Sequence, residues 1–266
     1  MRSKKNSFAI VFLLLMNVVY CQNAKQGISS RLFYGGVDAG YSAIGFSEGG
    51  GLGKGPGLSV YAGFMKNKTT GFELIINSLL RSSQENAFLP GLTSVGTSSV
   101  RGVYRASMLR IIPTVRLGFG EKKIHPYSRT GLIIGLPIDV NLEYKNAADT
   151  SDQVVSLNGR ISWGFLQTIG VRYELNERLS VSAEIWGILQ SWAPHKATLI
   201  TYTRNGNDRL SSLSTSEKEA VYSSSYSEPL DSNGYPPAGQ PAQNPKVYIP
   251  FSSMGFNLGL HYRLSN

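Results

Sequence analysis

Few residues in this chain have the types and spacing that chemistry needs. The histidines are His125, His195 and His261, and the single cysteine is Cys21. No two histidines sit at a helical or hairpin spacing that would clamp a metal, and no cysteine accompanies them, so no zinc site is expected. His195 lies near Ser191, with Glu184 deeper on the same stretch. A nucleophile and base would need hydrogen-bond contact, which spacing alone does not establish. A solvated loop histidine is the simpler account of His195, and it is preferred.

The stretch GGGLGKGPG, residues 49–57, looks at first like a phosphate cradle. A P-loop requires a hydroxyl after its Gly-Lys. Here Gly55 follows Lys54, and Pro56 forbids the helix that should start there. The dinucleotide fingerprint also needs a following helix, so the stretch reads as a connector, and no nucleotide is expected. The net charge of +9 is spread thinly with no basic helix, which argues against nucleic acid.

What remains is a set of arginines and carboxylates that recur at alternate positions: Glu73, Arg110, Arg116, Arg129, Asp139, Glu143, Arg160, Arg172, Glu174, Glu184 and Arg263. The elements that would position them follow from hydrophobic periodicity. In GLIIGLPIDVNLEY, Leu132, Ile134, Leu136, Ile138, Val140 and Leu142 share one face, and Asp139 and Glu143 fall on the other. The stretches MLRIIPTVRLGF, RISWGFLQTIGVRYEL, RLSVSAEIWGIL and MGFNLGLHYRL alternate in the same way. Weaker versions at Phe33–Phe46, Leu58–Met65 and Phe72–Arg81 bring the number of expected strands to eight.

The connections alternate in length. Short ones fall at 67–70, 120–125 and 176–177, and long ones at 47–56, 82–102, 145–158 and 191–246. Antiparallel neighbours closed into a ring would place every short turn at one end and every long loop at the other, as in an outer-membrane barrel with tight periplasmic turns. Residues 191–246, rich in Ser, Tyr, Pro and Gly, form the longest external loop on this reading. Its composition suggests mobility, with a hairpin expected around Asn205-Gly206.

A soluble sandwich or lipocalin-like barrel would alternate as well. Charge type separates the two readings. The cations on the polar faces are arginines, whose planar fork suits paired carboxylates in a confined interior, whereas the lysines gather in turns and loops. Aromatics such as Phe33, Tyr41, Phe119, Trp163, Tyr173 and Tyr262 sit near strand ends on the apolar faces, as interfacial girdles do. Charged residues make up only 16% of the chain, against about 25% in soluble proteins.

The start, MRSKKNSFAIVFLLLMNVVYCQ, has a basic region and an apolar run too short to remain as a membrane helix. It reads as a signal peptide spanning 1–21, cleaved after Cys21, with a barrel domain at 22–266. The alternative is a lipoprotein that keeps Cys21, although Tyr20 stands where such signals want a small residue.

With this signal, the eight-strand alternation, GVRYELNERLSVSAEI around its tight turn and the closing GFNLGLHYRLSN, the chain resembles small bacterial outer-membrane β-barrels of the OmpA/OmpX type and PorT-like proteins. The closing strand departs from that pattern, since Ser265-Asn266 end the chain where an aromatic is usual. The resemblance implies an all-β, eight-stranded antiparallel transmembrane barrel in the outer membrane of a Gram-negative bacterium. Its surroundings would be outer-membrane lipid, with an envelope or extracellular protein partner reached through loop 191–246. The arginine–carboxylate set would plug the lumen, and the role would be structural or recognition-based, without a cofactor or catalysis. An accessory of transport or protein secretion is the alternative, and an outer-leaflet lipid-modifying enzyme centred on His195 is a third reading.

Overall fold

A computed structural model describes residues 32–45, 52–67, 69–85, 100–119, 123–146, 150–225 and 239–264. The signal peptide expected at 1–21, with Cys21, lies outside the described residues. In chain order the strands are β1 (Leu32–Gly45), β2 (Gly55–Met65), β3 (Thr70–Glu85), β4 (Val100–Gly118) and β5 (Ile124–Asn146). Next come β6 (Ser151–Gly159), β7 (Ser162–Glu174), β8 (Leu179–Trp192), β9 (Pro194–Arg204) and β10 (Asn207–Asp208). The last are β11 (Glu219–Ser223), β12 (Ala242–Pro245), β13 (Ile249–Pro250) and β14 (Ser253–Arg263).

Eight of these strands close into an all-antiparallel ring in the order β1-β2-β3-β4-β5-β7-β8-β14, and β14 pairs back to β1. They are the eight that the alternation marks. Two tight turns at one end rest on asparagines. The Asn67 side-chain oxygen accepts from the backbone N–H of Thr69 and Thr70, at 3.0 and 2.6 Å. The Asn176 oxygen accepts from the N–H of Arg178 and Leu179, at 2.9 and 2.8 Å. Each side chain thus replaces a turn's missing backbone acceptor.

At the other end the described residues extend into further strands. The 145–158 connection contains β6, which pairs with the upper part of β5. Within 191–246, β9 pairs with β6, β11 with β9, and β12 with β11 in parallel. The hairpin at Asn205-Gly206 forms, with φ of 52° and 76° as a two-residue turn requires. A helical turn at Thr215–Lys218 follows. The expectation of a mobile loop is therefore corrected for the described part of this segment. Its β-branched runs, such as ATLITYT, pair edge to edge and bury one face.

Three bulges shape the wall, in β1 between Ser42 and Ile44, in β3 between Leu79 and Ser82, and between β4 and β5 at Ser107/Met108 opposite Pro137–Asp139. An extra residue reverses which face the later side chains take. On β5, Ile133 is buried below the bulge and Ile138 faces out at 66% exposure, whereas Val140, Leu142 and Tyr144 point inward above it. Those three join Leu52, Leu79, Met108, Trp192, Leu199, Tyr222 and Phe251 in an apolar core over the barrel's mouth. The glycine-rich connector contributes Leu52, whose N–H donates to the Pro250 carbonyl at 2.9 Å.

Candidate functional site

Below the cap the barrel is built inside out. Arg110, Arg116 and Arg129 are each 1% exposed, whereas Leu132, Trp163, Ile185 and Leu258 on the outer face range from 59% to 67%. An apolar belt, broken at mid-height by the mutually hydrogen-bonded Thr130 and Gln167, around a closed, charge-filled ring fits hydrocarbon outside and a packed polar interior. Phe33, Tyr173 and Tyr262 mark the turn end of the belt and Tyr41 and Trp163 the cap end. The molecule is a transmembrane β-barrel, and among the described residues no helix is long and apolar enough to cross a membrane.

The register places the interior charges. Arg116 on β4 stands opposite Arg129 on β5. Glu73 on β3 gives Oε1 to Arg116 Nη1 at 3.0 Å and Oε2 to Arg129 Nε at 2.8 Å. Arg129 Nη1 also meets Glu184 Oε2 at 3.1 Å and Asp38 Oδ2 at 3.3 Å. The Arg129–Glu73 approach is an ion pair without hydrogen-bond alignment. Arg129 Nη1 serves both Asp38 and Glu184, while its Nη2 makes no hydrogen bond among the described residues.

Tyrosines complete the cluster. Tyr34 donates to Glu73 at 2.6 Å and Tyr127 to Glu184 at 2.9 Å. The Tyr127 ring lies 4.2 Å beneath the Arg116 guanidinium carbon, and the Tyr61 ring lies 4.7 Å beneath that of Arg129. Tyr61 also shares a 2.6 Å hydrogen bond with His261 Nδ1. Asn257 donates to Glu184 at 2.8 Å and accepts from Trp186 Nε1 at 2.9 Å.

Nearer the cap, Arg110 donates to Gln190 at 2.9 Å and to Asn77 at 3.2 Å. Ile75, Ile112, Ile133, Leu166 and Ile188 fill the remaining cross-section. The cavity left beside Asp38, Arg129 and Glu184 measures about 30 Å³. One water needs roughly 10–15 Å³, so this cavity has room for about two waters. At the turn end, Glu174 meets Arg263 at 3.1 Å and His125 at 3.2 Å, and Arg172 is half-buried above them.

The lumen set read from the sequence thus divides. Glu73, Arg110, Arg116, Arg129 and Glu184 share the buried interior, while Arg172, Glu174 and Arg263 line its turn-end rim. Three residues are corrected. Asp139 and Glu143 lie above the bulge on the outward face, where Asp139 accepts from Asn141 at 2.8 Å and Glu143 pairs with Arg105 at 3.0 Å. Arg160 is exposed in the link between β6 and β7. Asp38 and the three tyrosines were missed, although Tyr34, Asp38 and Tyr61 keep the parity of Gly36 and Ser59. The tyrosines escaped because the lumen set was drawn from charged residues alone.

His195 is exposed on β9, facing away from the cap core that holds Ala197. Glu184 is engaged with Arg129 inside the barrel, so these two do not meet. Among the described residues no group of three or more His, Cys, Asp and Glu could hold a metal ion.

No protein-family model matches the chain, and no curated protein matches it. Among solved structures it is similar to the outer membrane protein OprG from Pseudomonas aeruginosa, with 13% identity and a TM-score of 0.47 over 89% of this chain and 96% of that one.

Proposed function

We propose that the protein is an integral outer-membrane barrel of a Gram-negative bacterium, exported by cleavage of residues 1–21, that neither conducts nor catalyses. Its working part is the external cap, which offers a recognition surface to an envelope or extracellular protein. The observation that carries this is packing at successive levels. The Glu73–Arg129–Glu184 cluster occupies the mid-lumen, the isoleucine and leucine layer lies beside it, and the apolar cap core lies over the mouth. Breaking a buried ion cluster is costly, so an open path would need several such losses together. On the cap, Tyr248 is 62% and Ile200 48% exposed, and large exposed side chains of this kind serve as contact anchors.

Two measurements test the reading. Full-length protein should fractionate with outer membranes and show heat-dependent gel mobility. In planar bilayers it should give no defined channel openings. Defined openings would move the protein to solute passage, and monodispersity in buffer without detergent would overturn the membrane assignment itself.

A further inference from the structure

We propose that Lys54 and Arg81 together hold the phosphate of an outer-leaflet lipid against the barrel wall, an inference that rests on the outer-membrane reading above. Arg81 lies in the β3 bulge with φ of 48°, a left-handed conformation that ordinarily selects glycine. Bulges re-aim side chains, and strained backbone persists where the surroundings or a function require it. The extra residue here turns both Leu80 and Arg81 outward between buried Leu79 and Ser82. A glycine would fit the backbone better, yet the chain places a long cation there.

The neighbouring strand brings the second cation. Gly55 packs against the Arg81 carbonyl, so close that an added Cβ would stand 2.9 Å from it, and exposed Lys54 immediately precedes Gly55. Directly below are Tyr41, Leu58 and Leu80, each 47–49% exposed in the apolar belt. The pair therefore sits where hydrocarbon gives way to headgroups. Among the described residues neither Lys54 nor Arg81 has a carboxylate partner. Glu85, the outward acid on β3, is four residues higher, roughly 13 Å along the strand. On another flank the boundary-level cation Arg105 is already paired with Glu143. Two neighbouring cations over an aromatic and aliphatic shelf fit an amphiphile that carries phosphate above acyl chains. Arginine's fork can take two phosphate oxygens while lysine supplies a point charge.

The test uses full-length protein in phosphatidylcholine micelles doped with lipid A, with retained lipid counted by native mass spectrometry. The wild type should retain lipid A in preference to phosphatidylcholine. Lys54→Gln and Arg81→Gln should each weaken retention roughly 5-fold, as one surface cation contributes. Arg81→Gly should lose the lipid as well while keeping or improving heat resistance, because it relieves the backbone. Lys123→Gln, an exposed cation at the turn end, should change nothing. Undiminished retention in the double glutamine variant overturns the proposal. So does an equal loss in Lys123→Gln, or equal protection of the protein by free inorganic phosphate. Heat-dependent mobility is read on every sample. Its absence in the wild type would indict the barrel reading, whereas its presence with indifferent retention would indict the lipid site alone.

Discussion

Arg116 and Arg129 stand directly opposite one another on β4 and β5, two cations side by side and buried inside the barrel. Like charges so placed destabilise a sheet. They are tolerated because Glu73 reaches over from β3 and gives one oxygen to each, at 3.0 and 2.8 Å. The tyrosine rings beneath both guanidiniums spread the remaining positive charge over π faces.

Glu73→Gln should therefore cost about 3–5 kcal/mol, the range for leaving buried charge uncompensated. Urea unfolding in detergent, followed by gel mobility, measures it. The double variant Glu73→Leu/Arg116→Met removes one charge of each sign and leaves Arg129 with Asp38 and Glu184. It should cost less than Glu73→Gln alone. A double variant as damaged as the single one would refute the electrostatic account.

Space around this cluster is made by glycine. An added Cβ on Gly170 would stand 2.7 Å from the Tyr127 ring and 2.9 Å from Glu184 Cβ, whereas one on Gly187 would meet nothing within 4 Å. Gly170→Ala should destabilise by about 1–3 kcal/mol through overpacking, and Gly187→Ala should stay within about 0.5 kcal/mol. Thermal midpoints of the two variants in the same detergent compare them. Equal midpoints would mean that the lumen yields without cost.

The eight strands and their turns were legible because hydrocarbon imposes one demand along each strand, an apolar residue at nearly every outward position and so at every second residue. Asp139 and Glu143 were misplaced because that demand stops at the membrane boundary, and a one-residue bulge reverses the parity there. Ile138 is apolar on the lipid side and Val140 is apolar on the cap side, so hydrophobicity alone shows no break between them. The strands β6, β9 and β11 were hidden for a related reason. Their outward faces mix polar residues such as Asp152, Ser156, Thr198 and Glu219, which look like loop composition, and the inward residues that form the cap core come from segments far apart in the chain.

The bulge makes a sharp pair of expectations. Val140→Asp places a carboxylate in the apolar cap core beside Leu142 and Met108, and should cost at least about 3 kcal/mol. Asp139→Val gives up one exposed hydrogen bond to Asn141 and should cost under about 1 kcal/mol. Uninterrupted period two from Leu132 onward predicts the opposite order. Measuring both by denaturant midpoint decides between a flipped and an unflipped strand.

The cap and the barrel share strands β3, β4, β5 and β8, yet their cores are separate clusters with different chemistry. Trp192 is central to the upper one. It is 1% exposed, its Nε1–H donates to the Arg160 carbonyl at 2.9 Å, and its ring meets Phe251 edge-on at 6.5 Å. Trp192→Ala should cost the cap about 3–5 kcal/mol and make segments between residues 194 and 250 quick to proteolyse. All eight strands of the ring remain paired below Trp192, and the mid-lumen ions do not touch it. Heat-dependent mobility and a silent planar bilayer should therefore survive the substitution. The milder Phe251→Leu should show the same pattern at lower amplitude. Loss of barrel mobility at the same denaturant concentration as loss of the cap would show one cooperative unit, and the cap would then be part of what holds the barrel closed.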